Sequence, residues 1–245
     1  MDLPVSSVEE SVFLAKVAEQ AERYEDMITF LKPVTQKKAE LLPEERNLVS
    51  VAYKSVSGMK RTAWRALSAI EENPKYEKQR ERTTAYKTKI EGELKTVCKD
   101  VIKVIDDSLL KNATAAEAKV FYLKMKADYY RYMSEVSTGT DLEGVSTKAL
   151  ESYEAAKAVA DTLAPTDPVR IGLALNFSVF QYEIRKNPKE ACSMAKKAFD
   201  EAIANLQDLD EEKYKEATSF MQLLKDNLNL WTAELGEEGA DDAPK

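Results

Sequence analysis

The chain has 245 residues, 32% of them charged, with 36 Lys and Arg against 43 Asp and Glu, a net charge of −7, and no histidine. The length admits one large domain or two small ones with a sizeable core, while the acidic balance disfavours general nucleic-acid binding, which requires a basic footprint. Without His the commonest general base and metal ligand are absent, which argues against hydrolase triads and zinc chemistry.

Only seven Gly and eight Pro occur. Abundant Ala, Glu, Lys and Leu, with no Val/Ile/Thr alternation, predict an all-α fold. Cys98 and Cys192 lack CxxC spacing and read as reduced core thiols of a cytoplasmic protein. The opening MDLPVSSVEE has no basic region followed by an apolar run, and no stretch approaches 18 apolar residues, so neither secretion nor membrane insertion is expected.

Ser7 and Glu10 have capping-box spacing and open a first helix to about residue 21, with Val12, Ala15, Ala18 and Ala21 for a packed face. A second helix runs to about Thr35. Leu42–Pro43–Glu44 begins a long third helix, which Asn73–Pro74 stops. The fourth, about Glu77 to Leu110, carries Tyr86, Ile90, Leu94, Val97, Val101 and Val104 on an apolar face. Thr114 and Glu117 form a second capping-box pattern, opening a fifth helix that ends near Ser137–Thr138–Gly139. The sixth covers about Asp141 to Leu163. Asp167–Pro168 and Asn187–Pro188 start the seventh and eighth, and the ninth runs from near Asp210 to Leu235. Short links and an even composition predict a single domain over 1–235, followed by a disordered acidic tail over 236–245.

Within the third helix Lys54, Arg61 and Arg65 fall at steps of seven and four, so they share one face about 16 Å long. Stacked cations about 6 Å apart repel by roughly 3 kcal/mol at an effective dielectric near 20. Such a face requires carboxylates, open solvent or an anionic ligand. On the fifth helix Lys124, Asp128, Arg131 and Tyr132 cluster, with Asp128 placed to neutralise part of the charge; a solvated charged face is the plain alternative. In PVRIGLALNFSVFQYEI, Asn176 and Glu183 stand seven apart on an otherwise apolar helix, lining either a polar core network or a groove. Leu223, Asn227 and Leu230 form a stripe beside Trp231 that reads as core or seam with one polar member. Guanidinium groups, a Lys and a Tyr hydroxyl would suit a phosphate, provided these faces converge.

The segments AERYEDM, RNLVSVAYKSV, KVFYLKMKADYYRY, PVRIGLALNFSVFQYEI and YKEATSFMQLLKDNLNLW, in that order, resemble the 14-3-3 family from about Val12 to Trp231. The resemblance implies nine antiparallel helices that form an amphipathic groove in each protomer of a cup-shaped homodimer, with mixed dimers with a paralogue also open. It implies a non-enzymatic adaptor for phosphoserine or phosphothreonine segments of client proteins, with no cofactor or metal. Lys54, Arg61, Arg131 and Tyr132 would hold the phosphate, with Arg65 packed behind them. Asn176 and Asn227 would bind the ligand backbone, supported by Glu183, and Lys124 would lie on the same polar wall. Leu175, Val179, Leu223 and Leu230 match the apolar wall. The dimer would form from the first helices, Val17, Ala21, Arg23 and Asp26 facing Tyr86 and Lys89 of the partner subunit. An Asp26–Lys89 pair would cross that contact.

The chain departs from the family pattern at Ser55 and Lys60, and more in its last motif, at Ala217, Ser219, Phe220, Lys225 and Asn229. Phe220 would enlarge the end of the apolar wall. Two rivals remain: a helical scaffold for unphosphorylated acidic or amphipathic peptides, and an enzyme using the Asp128 and Glu183 carboxylates, which no nucleophile motif, Gly-rich loop or ligand cluster favours.

Overall fold

Chemistry at the helix ends sets the element order. The computed structural model describes residues 7–206 and 209–241, with side chains to 236, and every regular element among them is helical. Among the described residues nine α-helices exceed one turn: α1 Val8–Gln20, α2 Tyr24–Lys37, α3 Pro43–Glu72, α4 Arg80–Val104, α5 Ala116–Glu135, α6 Gly139–Ala160, α7 Pro168–Glu183, α8 Pro188–Ile203 and α9 Glu211–Asp241. Ser7 Oγ accepts the Glu10 N–H at 3.1 Å, Asp167 accepts from Val169 and Asn187 from Glu190, so three expected caps are in place. Proline occupies the first position of α3, α7 and α8, where no intrahelical donor is needed.

Several boundaries differ from expectation. Pro74–Gln79 forms a 3₁₀ segment, and α4 begins only at Arg80; its C-terminal end passes into a π-turn, Ile105–Leu109, and a short helix, Leu110–Asn112. Ala115, rather than Thr114, holds the N-cap position of α5, so the second capping-box pattern is out of register. Backbone continuity carries α9 to Asp241, past the expected end at Leu235, and residues 242–245 of the expected tail lie outside the described residues.

The contacts divide the chain into two compact units, the first ending at Ala113 and the second starting at Thr114. In the first, α1 packs on α2 and α3, and α3 on α4. Met27, Leu31 and Val34 on α2, Val49, Ala52 and Val56 on α3, and Leu94, Cys98 and Val101 on α4 are buried at steps of three and four. That spacing stacks each set on one face and removes it from water, a gain of roughly 1.5–3 kcal/mol per large side chain. Tyr86 breaks the expected α4 face, for it is 55% exposed, and Ala21 of the expected α1 face is also exposed. In the second unit α5 packs on α6 and α7, while α8 and α9 pack on α7 and on each other. Ala149, Ala156 and Ala160 line one side of α6 and leave room for Tyr153, Phe177 and Phe180.

Truncating fully buried Leu94 to Ala is expected to lower the unfolding free energy by about 2–5 kcal/mol, read as a shift of the urea midpoint. Leu230→Ala, at a half-exposed position, should shift it by less than about 0.5 kcal/mol.

Candidate functional site

In the second unit the polar residues of α5 meet those of α6 and α7 around one carboxylate. Asp128 is buried, and its oxygens accept from Lys124 Nζ at 3.0 Å, Tyr153 Oη at 2.6 Å and Asn176 Nδ2 at 2.9 Å to each oxygen. Arg131, also buried, donates from Nε to Tyr153 Oη at 3.1 Å. Its Nη atoms lie 3.6 Å from Asp128 Oδ1 and from Glu135 Oε1, and its guanidinium carbon sits 4.9 Å over the Tyr132 ring. Lys124, Asp128, Arg131 and Glu135 succeed one another at steps of three and four along α5, so one helical face carries two cations and two carboxylates.

Burial opposes ionisation of Asp128, yet the charges of Lys124 and Arg131 and hydrogen bonds from Tyr153 and Lys124 hold its carboxyl below the usual range. Burial and the adjacent Asp128 charge push the Tyr153 phenol well above its ordinary value, so it keeps its proton and donates it to Asp128. Asn176 therefore belongs to a polar network shared with Asp128. Glu183, seven residues on, is exposed, and the pair predicted from sequence is split. The neutralising role expected of Asp128 is observed.

Apolar side chains flank this network. Leu175 is buried and Val179 half-buried on α7; on α9, Leu223 and Leu230 are half-exposed, with Asn227 half-buried between them. Of the alternatives for this stripe, a fully buried core is excluded by the exposure of Leu223 and Leu230. Phe220 packs its ring edge 3.5 Å from where a Cβ on Gly172 would stand, with Lys124 Cε 3.7 Å from the same point. A methyl group at residue 172 would be in ordinary van der Waals contact with both side chains.

In the first unit Lys54 is exposed, Arg61 half-buried and Arg65 exposed on α3. Their neighbours are held differently: Lys60 pairs with Glu93 at 2.9 Å, Trp64 Nε1 donates to Glu91 at 2.8 Å, and Lys87 pairs with Glu71. Among the described residues no carboxylate pairs with the Lys54 ammonium. Its chain neighbour Tyr53 is buried and donates to Asp100 at 2.8 Å, an acceptor that Lys32 also reaches at 3.3 Å. Of the expected dimer residues, Val17, Ala21 and Tyr86 are exposed, Arg23 pairs with Asp26, and Lys89 lies 3.9 Å from Glu93.

Two participants escaped sequence reasoning. Tyr153 is the single aromatic among the small residues of ESYEAAKAVA, three and seven residues before Ala156 and Ala160, a spacing that could have marked it as buried. Glu135 is the other: it stands four residues after Arg131, an i,i+4 step that marks it as a partner.

The sequence matches the family described as 14-3-3 protein over residues 14–232. It is 52% identical to 14-3-3 protein 7 of Solanum lycopersicum over 235 residues, covering 94% of this chain and 93% of that one. It is also 52% identical to Protein BMH2 of Saccharomyces cerevisiae, covering 96% of this chain and 88% of that protein, and to 14-3-3-like protein 2 of Caenorhabditis elegans, covering 95% of each.

Replacing Asp128 by Asn removes one of the two carboxylates beside buried Arg131, leaving Glu135 at 3.6 Å, and should cost about 3 kcal/mol of stability at neutral pH. Because the folded carboxyl titrates below its unfolded value, the wild-type advantage is present above the unfolded carboxylate range and is lost as pH falls through the folded one. Urea midpoints of the two proteins should therefore converge as the pH falls through the range in which the folded carboxyl takes up its proton.

Proposed function

Because the chain belongs to the 14-3-3 family, we propose that it is a non-catalytic adaptor that binds phosphoserine- or phosphothreonine-containing segments of client proteins and regulates their activity, location or interactions. The proposed phosphate ligands are Lys54 and Arg61 of α3 and Arg131 and Tyr132 of α5. Asn176 and Asn227 hold the peptide backbone, with Glu183 supporting and Lys124 on the polar wall. Leu175, Val179, Leu223 and Leu230 take the apolar side chains of the client. The observation that carries this reading is the closed network at Asp128: it keeps Arg131 charged, buried and fixed, at no cost in self-repulsion along α5.

A phosphate brings a charge of about −1.5 to −2 at neutral pH, and each charge-assisted hydrogen bond to it contributes roughly 1.5–3 kcal/mol. An unmodified serine desolvates the same cations and leaves them unpaired, which is the source of discrimination. The adaptor in this reading is a homodimer, or a mixed dimer with a paralogue, in which Val17, Ala21, Arg23 and Asp26 of one protomer face Tyr86 and Lys89 of the partner subunit, apolar contact supplying most of the stability and the charges its register. Two sites in one particle then raise the affinity for doubly phosphorylated clients through effective concentration. No helix among the described residues is long and apolar enough to cross a membrane, and the working compartment in this reading is the cytoplasm.

One peptide titrated in its phosphorylated and unphosphorylated forms should differ by at least about 100-fold in affinity, equivalent to roughly 2.7 kcal/mol; equal affinities would leave the scaffold for acidic peptides as the better account. Lys54→Glu should abolish most of that preference with unchanged far-ultraviolet circular dichroism. Val17→Glu should halve the mass seen in sedimentation equilibrium, and a wild-type mass would remove the α1 surface from the dimer.

A further inference from the structure

A cavity of about 100 Å³ lies between α6, α7 and α8, and shares no residue with the proposed peptide site. Phe177, Met194, Ala174 and Ala198 form its apolar lining. Its charged residues are Lys157, Arg170 and Lys197 against Asp161 and Glu201, one more cation than carboxylate on a molecule that is acidic as a whole.

These cations are not equivalent. Arg170 is fixed, donating to the Leu163 carbonyl at 2.7 Å and to Glu201 at 3.0 Å. Lys157 and Lys197 are largely exposed and stand 3.8 Å from Asp161 and Glu201, beyond hydrogen-bond distance. An anion at the mouth could recruit either ammonium without breaking a formed hydrogen bond. The cavity continues into an open groove that adds Glu154 and Glu190, whose charge repels an anion from that end. Apolar lining of this volume suits a single ring or a branched chain of about four to six carbons.

We propose that this cavity is a second ligand site, for a small aryl or branched-alkyl carboxylate whose apolar body fills the space between Phe177 and Met194 and whose carboxylate lies between Lys157 and Lys197. The chemistry is that of an apolar-bodied monoanion: burial of the ring supplies affinity, and the two mobile ammonium groups supply the preference for negative charge.

The test uses the full chain with ¹³C-methyl methionine, the Met194 signal being assigned through Met194→Leu. Phenylacetate is titrated against the isosteric neutral phenylacetamide, with the phosphopeptide absent and then present at saturation. The expected result is a saturable Met194 shift with phenylacetate, half-complete on the order of 1 mM, at least fivefold weaker for the amide and unaffected by the phosphopeptide. Lys157→Glu with Lys197→Glu should remove the preference for the anion. Ala198→Phe should fill the cavity and abolish the shift, with Ala174→Leu as the replacement should that variant fail to fold. A Met194 signal that does not saturate, equal binding of acid and amide, or a shift that survives the filled cavity would overturn the proposal.

Discussion

Asp128 is a carboxylate taken out of water, and the second unit is arranged around the need to keep it paired. An uncompensated buried charge costs several kcal/mol, so a cation alone is not sufficient: each remaining lone pair needs a donor. Lys124 and Arg131 supply the charge from the same helix, while Tyr153 from α6 and Asn176 from α7 supply the additional hydrogen bonds. The requirement fixes the register of three helices at once. Tyr153 has a second anchor, its ring stacked 4.9 Å from Phe177 at an interplanar angle of 8°, so the phenol is held from its apolar face as well as from its hydroxyl. Rigid placement of Arg131 and Asn176 follows from packing, before any ligand is considered.

The cations of this acidic chain are held in different ways. Lys60 and Lys87 are tied to carboxylates of their own unit, and Arg131 is surrounded by two. Lys54 alone of the proposed phosphate ligands is exposed without a carboxylate among the described residues. An exposed ammonium is a suitable partner for an anion, and a guanidinium held by its own carboxylates can orient one. Phe220 beside Gly172 and Lys124 adds an aromatic edge at the boundary between the polar network and the apolar stripe of α9. Under the proposed function, client side chains near that boundary would meet a flat ring.

How far the sequence could be read depended on whether a feature was local. Pro43, Asp167–Pro168 and Asn187–Pro188 mark helix starts within a few residues, because capping is settled by neighbours in the chain. Thr114–Glu117 has the capping-box spacing of Ser7–Glu10 and did not open its helix, since Ala115 takes the N-cap position instead. The neutralisation of Lys124 by Asp128 was legible as an i,i+4 relation. The role of Tyr153 was not, because it depends on which face a neighbouring helix covers. Periodicity gave the spacing of Lys54 and Arg61 and left open whether solvent, carboxylate or ligand faced them. Family membership, shown by the comparisons, supplies the direction of the proposal.

The central claim of the proposed function is that the client's phosphate is held as a dianion. Paired with ammonium and guanidinium groups, a bound phosphoserine should lose its last proton more readily than in water, where its second pKa is about 6. The direct measurement is the ³¹P chemical shift of a bound phosphoserine peptide followed as a function of pH. The account predicts a midpoint at least about one unit below that of the free peptide, equivalent to roughly 1.4 kcal/mol of preference for the dianion. A midpoint unchanged or raised on binding would contradict it.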